Sequence, residues 1–438
     1  MSTAASAEAT ALPPLRLPRC LLDPLAELPA ADAAGLVPVR LEQRGGCLTA
    51  IRPCDAAEAA GPLPLALTPL VEPHAHLDKA YSGQLHPNRE GTLAGALRAN
   101  LREADQRDRE TVLARGERAL ECAWRQGLRA IRSHIDSGGP GAAPSWEALG
   151  DLRRRWAGRV ELELVALVPL AHWRTPEGRA LAERAVAAGG LLGGVLGGPF
   201  PLGAADDDDL EVLLALAERH GCGIDLHIDE SDVQHGEGMR LLVRRLRRRG
   251  GGPPVTCSHA ASMGLLPEGE GQRLAEAMAA MELGVVALPT TNLWLLGRRR
   301  GATPRLRAQA PIRQLQAAGV RVAVGGDNVQ DPWFPGGDFD PLALLRFAAI
   351  ASHLVPWQRQ GLAPFGREGA RLLGLPWDGV LRVGGPADLV VLAAGSWEEL
   401  LVRDPQRRVL RQGRWLPPPE WQAPSPLLAG LGQDPPPP

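Results

Sequence analysis

The chain has 438 residues, which exceeds one small module and is enough to bury a large core. Its formal net charge of -2 at pH 7 argues against nucleic acid as a partner, because phosphate binding needs a basic face. No apolar run approaches the roughly 20 residues of a membrane span, and the N-terminal residues lack a secretory pattern. The 6 cysteines are scattered without a Cys-x-x-Cys pair, which is typical of reduced thiols and predicts a cytoplasmic protein.

Both ends of the chain are rich in short apolar runs that proline and glycine interrupt. Residues 1–68 include such runs at Leu36–Leu41 and Cys47–Ile51, and residues 381–420 include them at Asp388–Leu392 and Arg408–Leu416. These runs predict short strands joined by turns, so each end forms a small β-rich segment. Residues 421–438 end in four consecutive prolines and are predicted to be disordered.

Between these flanks, over residues 69–380, short apolar runs alternate with longer stretches of helical periodicity. The predicted strands are Ala66–Val71, Ala130–His134, Val160–Val168, Leu191–Val195, Gly223–His227, Pro254–Ser258, Gly284–Leu288 and Arg321–Val324. The helical pattern is clearest at Arg179–Ala188, Leu210–His220 and Arg307–Ala318. This alternation predicts an α/β fold, a TIM-like (β/α)8 barrel, with a doubly wound parallel sheet as the alternative because periodicity does not distinguish the two.

Metal-ligating and titratable side chains end several of the predicted strands or follow them closely. They are His74, His76, His134, His227, His259 and Asp327. In a barrel the carboxyl ends of the strands converge on one face, where active sites form. Residues far apart in the sequence are therefore expected to meet there.

The pair His74 and His76 has a two-residue spacing, so in a strand both imidazoles project to the same side. Imidazole is the commonest protein ligand of transition metals, although one such pair is a weak signal by itself. His227 and Asp327, at two other predicted strand ends, strengthen the indication of a metal site. Three imidazoles and one carboxylate leave a coordination position for water, which is typical of a catalytic metal site.

Glu230 lies three residues after His227 and is the candidate general base and acid. A carboxylate beside a metal ligand can take the proton of a metal-activated water and pass it on. In isolation, the same residue would be interpreted as a surface glutamate at a helix start. His259 is the candidate electrophile that orients the attacking hydroxide, with a hydrogen-bonded core histidine as the alternative.

Four motifs together resemble the amidohydrolase superfamily, and most of all its cytosine deaminase-like branch. They are Val71–Asp78 (VEPHAHLD), Asp225–Glu230 (DLHIDE), Val255–Ala260 (VTCSHA) and Gly326–Trp333 (GDNVQDPW). The resemblance extends from about Pro69 to Leu392. It implies a barrel with a small β-sandwich built from both chain ends.

The resemblance also implies a cofactor and a set of residue roles. One divalent metal ion, zinc or iron, would be held by His74, His76, His227 and Asp327. Glu230 would be the proton shuttle and His259 the group that polarises the attacking hydroxide. Trp333 matches a position that packs against the substrate ring, with a core tryptophan as the alternative.

Only one of the 48 lysines and arginines is a lysine, Lys79, which follows the first barrel strand. Binuclear members of the superfamily commonly bridge two metals through a carboxylated lysine at the fourth strand. The segment at that strand here, Leu191–Gly198, has none, which favours a single metal. A His-Leu-Asp-Lys segment also occurs in relatives that process N-alkylated triazines, and we predict that Lys79 faces a carbonyl or anionic oxygen of the substrate.

Three positions depart from the cytosine deaminase pattern. Leu170 and Leu296 each replace a family glutamine, and Asn328 replaces a second aspartate. Leu170 is therefore expected to contact the substrate as an apolar side chain. A pocket without these hydrogen bonds loses much of its discrimination for an amide edge, which argues against cytosine itself.

These observations predict a metal-dependent enzyme that hydrolyses, by deamination, a non-peptide C–N bond of a small nitrogen heterocycle or cyclic amidine. Metal-bound hydroxide would attack an sp2 carbon while Glu230 transfers the proton. The alternatives are release of an alkylamine, opening of a cyclic amide, or a catalytically silent binding protein on the same fold. The expected partner is the small-molecule substrate, without nucleic acid or membrane, and a homo-oligomer is compatible with the sequence.

Overall fold

In a computed structural model of the chain, the described residues are 9–198 and 200–417. They divide into two compact units, residues 9–67 with 381–417, and residues 68–198 with 200–380. The predicted disordered tail, residues 421–438, lies outside the described residues. Within those described, no helix has the length and apolar character to span a bilayer. The cysteines, all in the described ranges, are free thiols.

The secondary structure of the described residues is as follows. The strands are β1 Thr10–Ala11, β2 Leu15–Pro18, β3 Leu36–Arg44, β4 Cys47–Pro53, β5 Ala66–Leu67, β6 Leu70–Ala75, β7 Leu128–Asp136, β8 Glu161–Leu167, β9 Leu191–Leu196, β10 Ile224–Ile228, β11 Val255–His259, β12 Gly284–Ala287, β13 Arg321–Val324, β14 Leu389–Leu392, β15 Arg407–Arg411 and β16 Arg414–Trp415. The α-helices are α1 Ala56–Ala60, α2 Leu93–Ala104, α3 Arg109–Gln126, α4 Ala142–Trp156, α5 Pro176–Ala187, α6 Asp206–His220, α7 Glu237–Arg249, α8 Glu268–Ala280, α9 Pro289–Leu295, α10 Ile312–Ala317, α11 Pro341–Ala351, α12 Arg359–Leu362, α13 Arg367–Leu372 and α14 Trp397–Val402. Short 3-10 helices span Arg19–Leu21, Leu170–Arg174, Ser262–Leu265 and Ala363–Phe365.

The unit made of the chain ends contains two antiparallel sheets. In the first, β3 pairs with β1 and β2 on one side and with β4 on the other. In the second, the order is β16-β15-β14-β5, so residues from both ends of the chain share one sheet. Along β3 the buried Val37, Val39 and Leu41 alternate with less buried residues, as expected of a strand with one face in a core.

The other unit is built around an eight-stranded parallel sheet in the order β6 to β13. Its first and last strands meet, because Ala75 bridges Asp327 and the Asp327 amide donates to the His74 carbonyl at 3.0 Å. This contact closes the sheet, which confirms the predicted barrel and excludes the open doubly wound alternative. Strands such as β6 and β10 are buried at every residue, because both faces of a parallel sheet are covered.

Proline accounts for the two largest differences between the observed and the predicted elements of the barrel unit, whereas the other boundaries shift by a few residues only. The predicted strand Ala66–Val71 is two strands, β5 and β6, with Pro69 in the gap between them. The predicted helix Arg307–Ala318 is formed only from Ile312, directly after Pro311. Proline has no amide donor and disfavours helical backbone in the preceding residue, so it ends one element and delays the start of the other.

Candidate active site

The predicted metal ligands lie together at the carboxyl ends of the barrel strands. The Nε2 atoms of His74 and His76 are 3.5 Å and 3.3 Å from Asp327 Oδ1. The Nε2 atom of His227 is 3.4 Å from that of His76. All four side chains are buried. The structure therefore brings together four residues that are separated by up to 253 positions in the sequence.

Several polar atoms of this cluster are buried without a hydrogen-bond partner among the described residues. They are His74 Nε2, His76 Nδ1, His227 Nδ1 and both carboxylate oxygens of Asp327. Buried polar groups are normally paired, so a cluster of unpaired ones needs an explanation. Ligand atoms of His74, His76 and Asp327 all lie within 4.8 Å of one another, as do those of His74, His134 and His227. Nitrogen and oxygen donors at this spacing fit a divalent transition metal.

Two site residues have a backbone conformation that side chains other than glycine rarely adopt. The φ angles are 73° at His259 and 65° at Asp327. Left-handed backbone at such residues carries a conformational cost and is concentrated at functional sites. Here it turns the chain at the end of β11 and just after β13.

Glu230 and His259 face each other across the same region. The Nε2 atom of His259 is 3.7 Å from Glu230 Oε2, and Asn292 Nδ2 lies 2.9 Å from His259 Nδ1. Burial, reinforced by the negative charge of Asp327, raises the pKa of Glu230 well above its usual 4.5. Burial also lowers the pKa of His259 to about 4. The raised pKa makes the Glu230 carboxylate more basic than that of an exposed glutamate, while the imidazole of His259 is neutral at pH 7.

Lys79 belongs to a buried ion network beside this cluster. Its Nζ atom lies 2.8 Å from Asp136 Oδ1, while Asn100 Nδ2 and Arg107 NH2 lie 3.1 Å and 3.4 Å from Asp136 Oδ2. Burial alone would lower the pKa of Lys79, but the carboxylates of Asp136 and Asp78 outweigh it and raise that pKa. The cations likewise hold the pKa of Asp136 below its usual value against the effect of burial. Both shifts indicate a fully ionised pair.

A cavity of about 390 Å³ connects these groups. His76, His227, Asp327, Glu230 and His259 line one part of it, and Lys79, Asn100 and Asp136 line another. Most of the remaining wall is apolar and includes Leu97, Leu167, Val168, Pro169 and Trp333. The volume is in the range of small-molecule sites, and the few polar groups converge on it.

A second, larger cavity of about 720 Å³ is also lined by Asp327. Its walls include Phe334, Phe339 and Phe347, and none of the clustered histidines lines it. Size alone would favour this cavity. The smaller one is the candidate active site because the clustered histidines and Glu230 line it.

The predicted substrate-contacting residues divide into two groups. Lys79 and Trp333 both line the 390 Å³ cavity, with Lys79 Nζ 5.9 Å from the centroid of the Trp333 ring. Leu170 is not part of the lining: it is buried against Gly194, at the start of a 3-10 helix that follows Pro169. Leu296, the other replacement, packs with Ala261 and Ala308. A contact between Leu170 and the substrate stays a prediction.

Sequence reasoning missed three residues of this site. Asp136 follows His134 at the two-residue spacing of His74 and His76, and that repeated spacing at a strand end could have revealed it. Asn100 lies within α2 and Asn292 within α9, where no local pattern distinguishes them from other polar residues. Their positions depend on how these helices pack over the strand ends.

A closed parallel barrel with imidazoles and a carboxylate gathered at its strand ends defines a metal-dependent barrel hydrolase. The comparison with protein families agrees with this assignment. The sequence model of the Amidohydrolase family matches residues 83–416. The chain belongs to this family, and the prediction of an amidohydrolase-type enzyme is confirmed.

Several individual proteins are similar to the chain. The pterin deaminase of Rhizobium rhizogenes is 34% identical over 349 residues, 78% of each chain. The N-isopropylammelide isopropyl amidohydrolase of a Pseudomonas species is 24% identical over 78% of this chain and 84% of that protein. The crystal structure of 5-methylcytosine deaminase from Klebsiella pneumoniae has a TM-score of 0.76 at 25% identity, covering 93% of this chain and 98% of that one.

Proposed function

We propose that this chain deaminates a small nitrogen heterocycle by hydrolysis, with one divalent ion, zinc or iron, held by His74, His76, His227 and Asp327. The observation that carries the proposal is the convergence of donor atoms beside the cavity that Glu230 lines. His74 Nε2 and both carboxylate oxygens of Asp327 are buried without a hydrogen-bond partner in the described part of the chain, His76 Nε2 is 3.3 Å from Asp327 Oδ1, and His227 Nε2 is 3.4 Å from His76 Nε2. When bound, such an ion acts as a Lewis acid and lowers the pKa of water. The donor types suit zinc and iron equally well.

Glu72 keeps two of the proposed ligands in register. Its carboxylate accepts hydrogen bonds from the backbone amides of His74 at 3.1 Å and Gly326 at 2.9 Å. These bonds tie the strand that carries His74 and His76 to the residue preceding Asp327. The ligands are thus held on a rigid scaffold, which limits the reorganisation needed during the reaction.

Glu230 is proposed to move the protons of the reaction. Its raised pKa makes the Glu230 carboxylate a more basic proton acceptor than that of an exposed glutamate. The carboxylate takes a proton from the attacking water and delivers it to the ring nitrogen next to the reacting carbon. Glu230 then takes the proton of the hydroxyl group that the attack has added to the carbon and gives it to the departing amine, so that the C–N bond breaks as the carbonyl forms.

His259 is proposed to stabilise the oxygen that attacks. Asn292 donates to His259 Nδ1, so the single proton of the neutral imidazole lies on Nε2, which faces Glu230 and the cavity. This N–H can donate to a developing oxyanion without adding a positive charge. A site that excludes bulk water strengthens such a hydrogen bond.

The wall formed by Lys79 and Asp136 is proposed to recognise the substrate. Lys79 has ammonium protons beyond the one directed at Asp136, and the Asp136 carboxylate can accept a further bond. A ring carbonyl next to a ring N–H matches this pair, while the apolar wall and Trp333 suit a flat ring. The 34% identity to a pterin deaminase supports 2-amino-4-oxo heterocycles as the first candidates.

A second candidate reaction is the release of an alkylamine. Leu97, Leu101 and Phe200 line the cavity and could accommodate an N-alkyl group. The similarity to N-isopropylammelide isopropyl amidohydrolase, at 24% identity, also supports this reaction. Product analysis separates the two reactions, because deamination yields ammonia and the alternative yields an amine.

The test is a metal analysis combined with a substrate panel. Purified protein should contain about one zinc or iron per chain and release ammonia from pterin in a coupled assay, with cytosine and alkylaminotriazines as comparisons. Glu230→Gln should keep the metal and lose turnover. Absence of bound metal, or metal without hydrolysis of any heterocycle, would favour the silent binding protein. Size-exclusion chromatography of the same sample reports whether the chain is a homo-oligomer, which stays a prediction.

A further inference from the structure

A hydrogen-bonded chain of buried side chains lies behind His74. The ring Nδ1 of His74 is 2.8 Å from Ser258 Oγ, and Ser258 Oγ donates to Asp225 Oδ1 at 2.7 Å. All three side chains are fully buried. By contrast, the Nδ1 atoms of His76 and His227 have no partner among the described residues. His74 therefore differs from the other imidazoles of the proposed metal site.

The ion pair of Asp225 with Arg132 determines which group donates in each of these hydrogen bonds. Its NH1 atom donates to Asp225 Oδ2 at 2.8 Å inside the barrel, so Asp225 is an ionised acceptor paired with a buried guanidinium. The single hydroxyl proton of Ser258 is then directed to Asp225. Ser258 Oγ accepts in turn from His74 Nδ1–H. The reverse order would need a neutral Asp225 carboxyl and would lose the ion pair with Arg132.

A proton on Nδ1 leaves the lone pair of His74 on Nε2. This is the atom that faces Asp327 Oδ1 at 3.5 Å and has no hydrogen-bond partner. The His134 ring stacks on the His74 ring, with 3.9 Å between centroids and 28° between planes. The imidazole is thus restricted both in tautomer and in orientation.

We infer that Ser258 and Asp225 are positioning residues for metal binding, which select the His74 tautomer whose Nε2 lone pair is available to the ion. The inference rests on the metal site proposed above. Partners behind a ligating histidine commonly change metal affinity by about 10–100-fold when they are removed. The effect should appear in metal affinity in the absence of any substrate.

The chain offers a matched pair of substitutions on β11. Ser258→Ala removes the link to His74, whereas Thr256→Val removes a neighbouring hydroxyl that contacts the same Arg132 at 3.1 Å but no histidine. Zinc affinity is measured by competition with a chromophoric chelator on the metal-depleted full chain. We expect about 10–100-fold weaker zinc binding for Ser258→Ala and an affinity close to the wild-type value for Thr256→Val.

A second measurement needs no variant and so does not depend on how Ser258→Ala folds. Long-range ¹H–¹⁵N spectra of the histidine-labelled, metal-free chain should give His74 as the Nδ1–H tautomer. Unchanged zinc affinity in Ser258→Ala, equal weakening in Thr256→Val, or an Nε2–H tautomer would each overturn the inference. A wild-type chain that binds no zinc or iron would instead refute the proposed metal site.

Discussion

Replacing Lys79 with methionine tests the proposed recognition of a ring carbonyl, and the structure sets the expected size of the effect. Lys79 Nζ is 2.8 Å from Asp136 Oδ1, and breaking a buried ion pair typically costs about 3–5 kcal/mol. Asp136 keeps Asn100 and Arg107 as donors and its side chain is 20% exposed, so part of that cost is offset. We expect the free energy of unfolding to fall by about 1–3 kcal/mol.

The expected loss of activity is calculated separately from the loss of stability. A hydrogen bond from a charged donor contributes about 1.5–3 kcal/mol. If Lys79 donates to the substrate in the transition state, its loss should lower kcat/KM by roughly 10- to 150-fold. The folded fraction of Lys79→Met must be verified first by thermal unfolding.

The assay compares a 2-amino-4-oxo heterocycle with an analogue in which hydrogen replaces the ring oxygen. Lys79→Met should lower kcat/KM much more for the oxo compound than for the analogue. Arg115→Met is the matched control, because Arg115 belongs to the same ion network through Glu103 but does not line the cavity. An equal effect on both substrates, or a similar selectivity change in Arg115→Met, would refute the role of Lys79.

Three further predictions concern the ion and the protons. Glu230→Gln should keep its metal but lower kcat by about 10²- to 10⁴-fold, measured by ammonia release, and near wild-type turnover would contradict the proton-transfer role. Chelation should abolish activity and zinc or ferrous iron should restore it, whereas His227→Ala should regain neither metal nor turnover. Burial lowers the pKa of His134 well below 6.5, so the unfolded chain binds an extra proton and stability falls as the pH drops below 6.5. In urea titrations of metal-free protein, His134→Leu should reduce this fall by up to about 1.4 kcal/mol per pH unit, and an unchanged slope would contradict it.

The barrel was predictable because its strands are buried on both faces and read as continuous apolar runs. The run Leu191–Val195 differs from β9 by one residue, and Arg321–Val324 coincides with β13. A prediction from apolar residues alone does not take into account that proline lacks an amide donor. The observed boundaries at Pro69 and Pro311 therefore differ from the predicted ones.

The site was partly predictable for a similar geometric reason. Residues directly after strands of one barrel must converge, so His74, His227 and Asp327 could be grouped before any coordinates. The wall formed by Lys79 and Asp136 could not be predicted in this way. Asp136 is positioned by Lys79 from the turn after the neighbouring strand β6 and by Asn100 from α2, and such pairing between elements leaves no periodic signal.

The charge balance of this wall discriminates between the two substrate groups that Lys79 could face. The network contains three cations and three carboxylates, all at least largely buried: Lys79, Arg107, Arg115, Asp78, Glu103 and Asp136. The positive charge of Lys79 is therefore already compensated by Asp136 within this network. An anionic oxygen placed beside Lys79 would find no net counter-charge in the network, at a desolvation cost that a neutral carbonyl avoids. A heterocycle with a neutral lactam edge should consequently be preferred over an analogue that presents a carboxylate to Lys79, and the reverse preference in kcat/KM would contradict the charge argument.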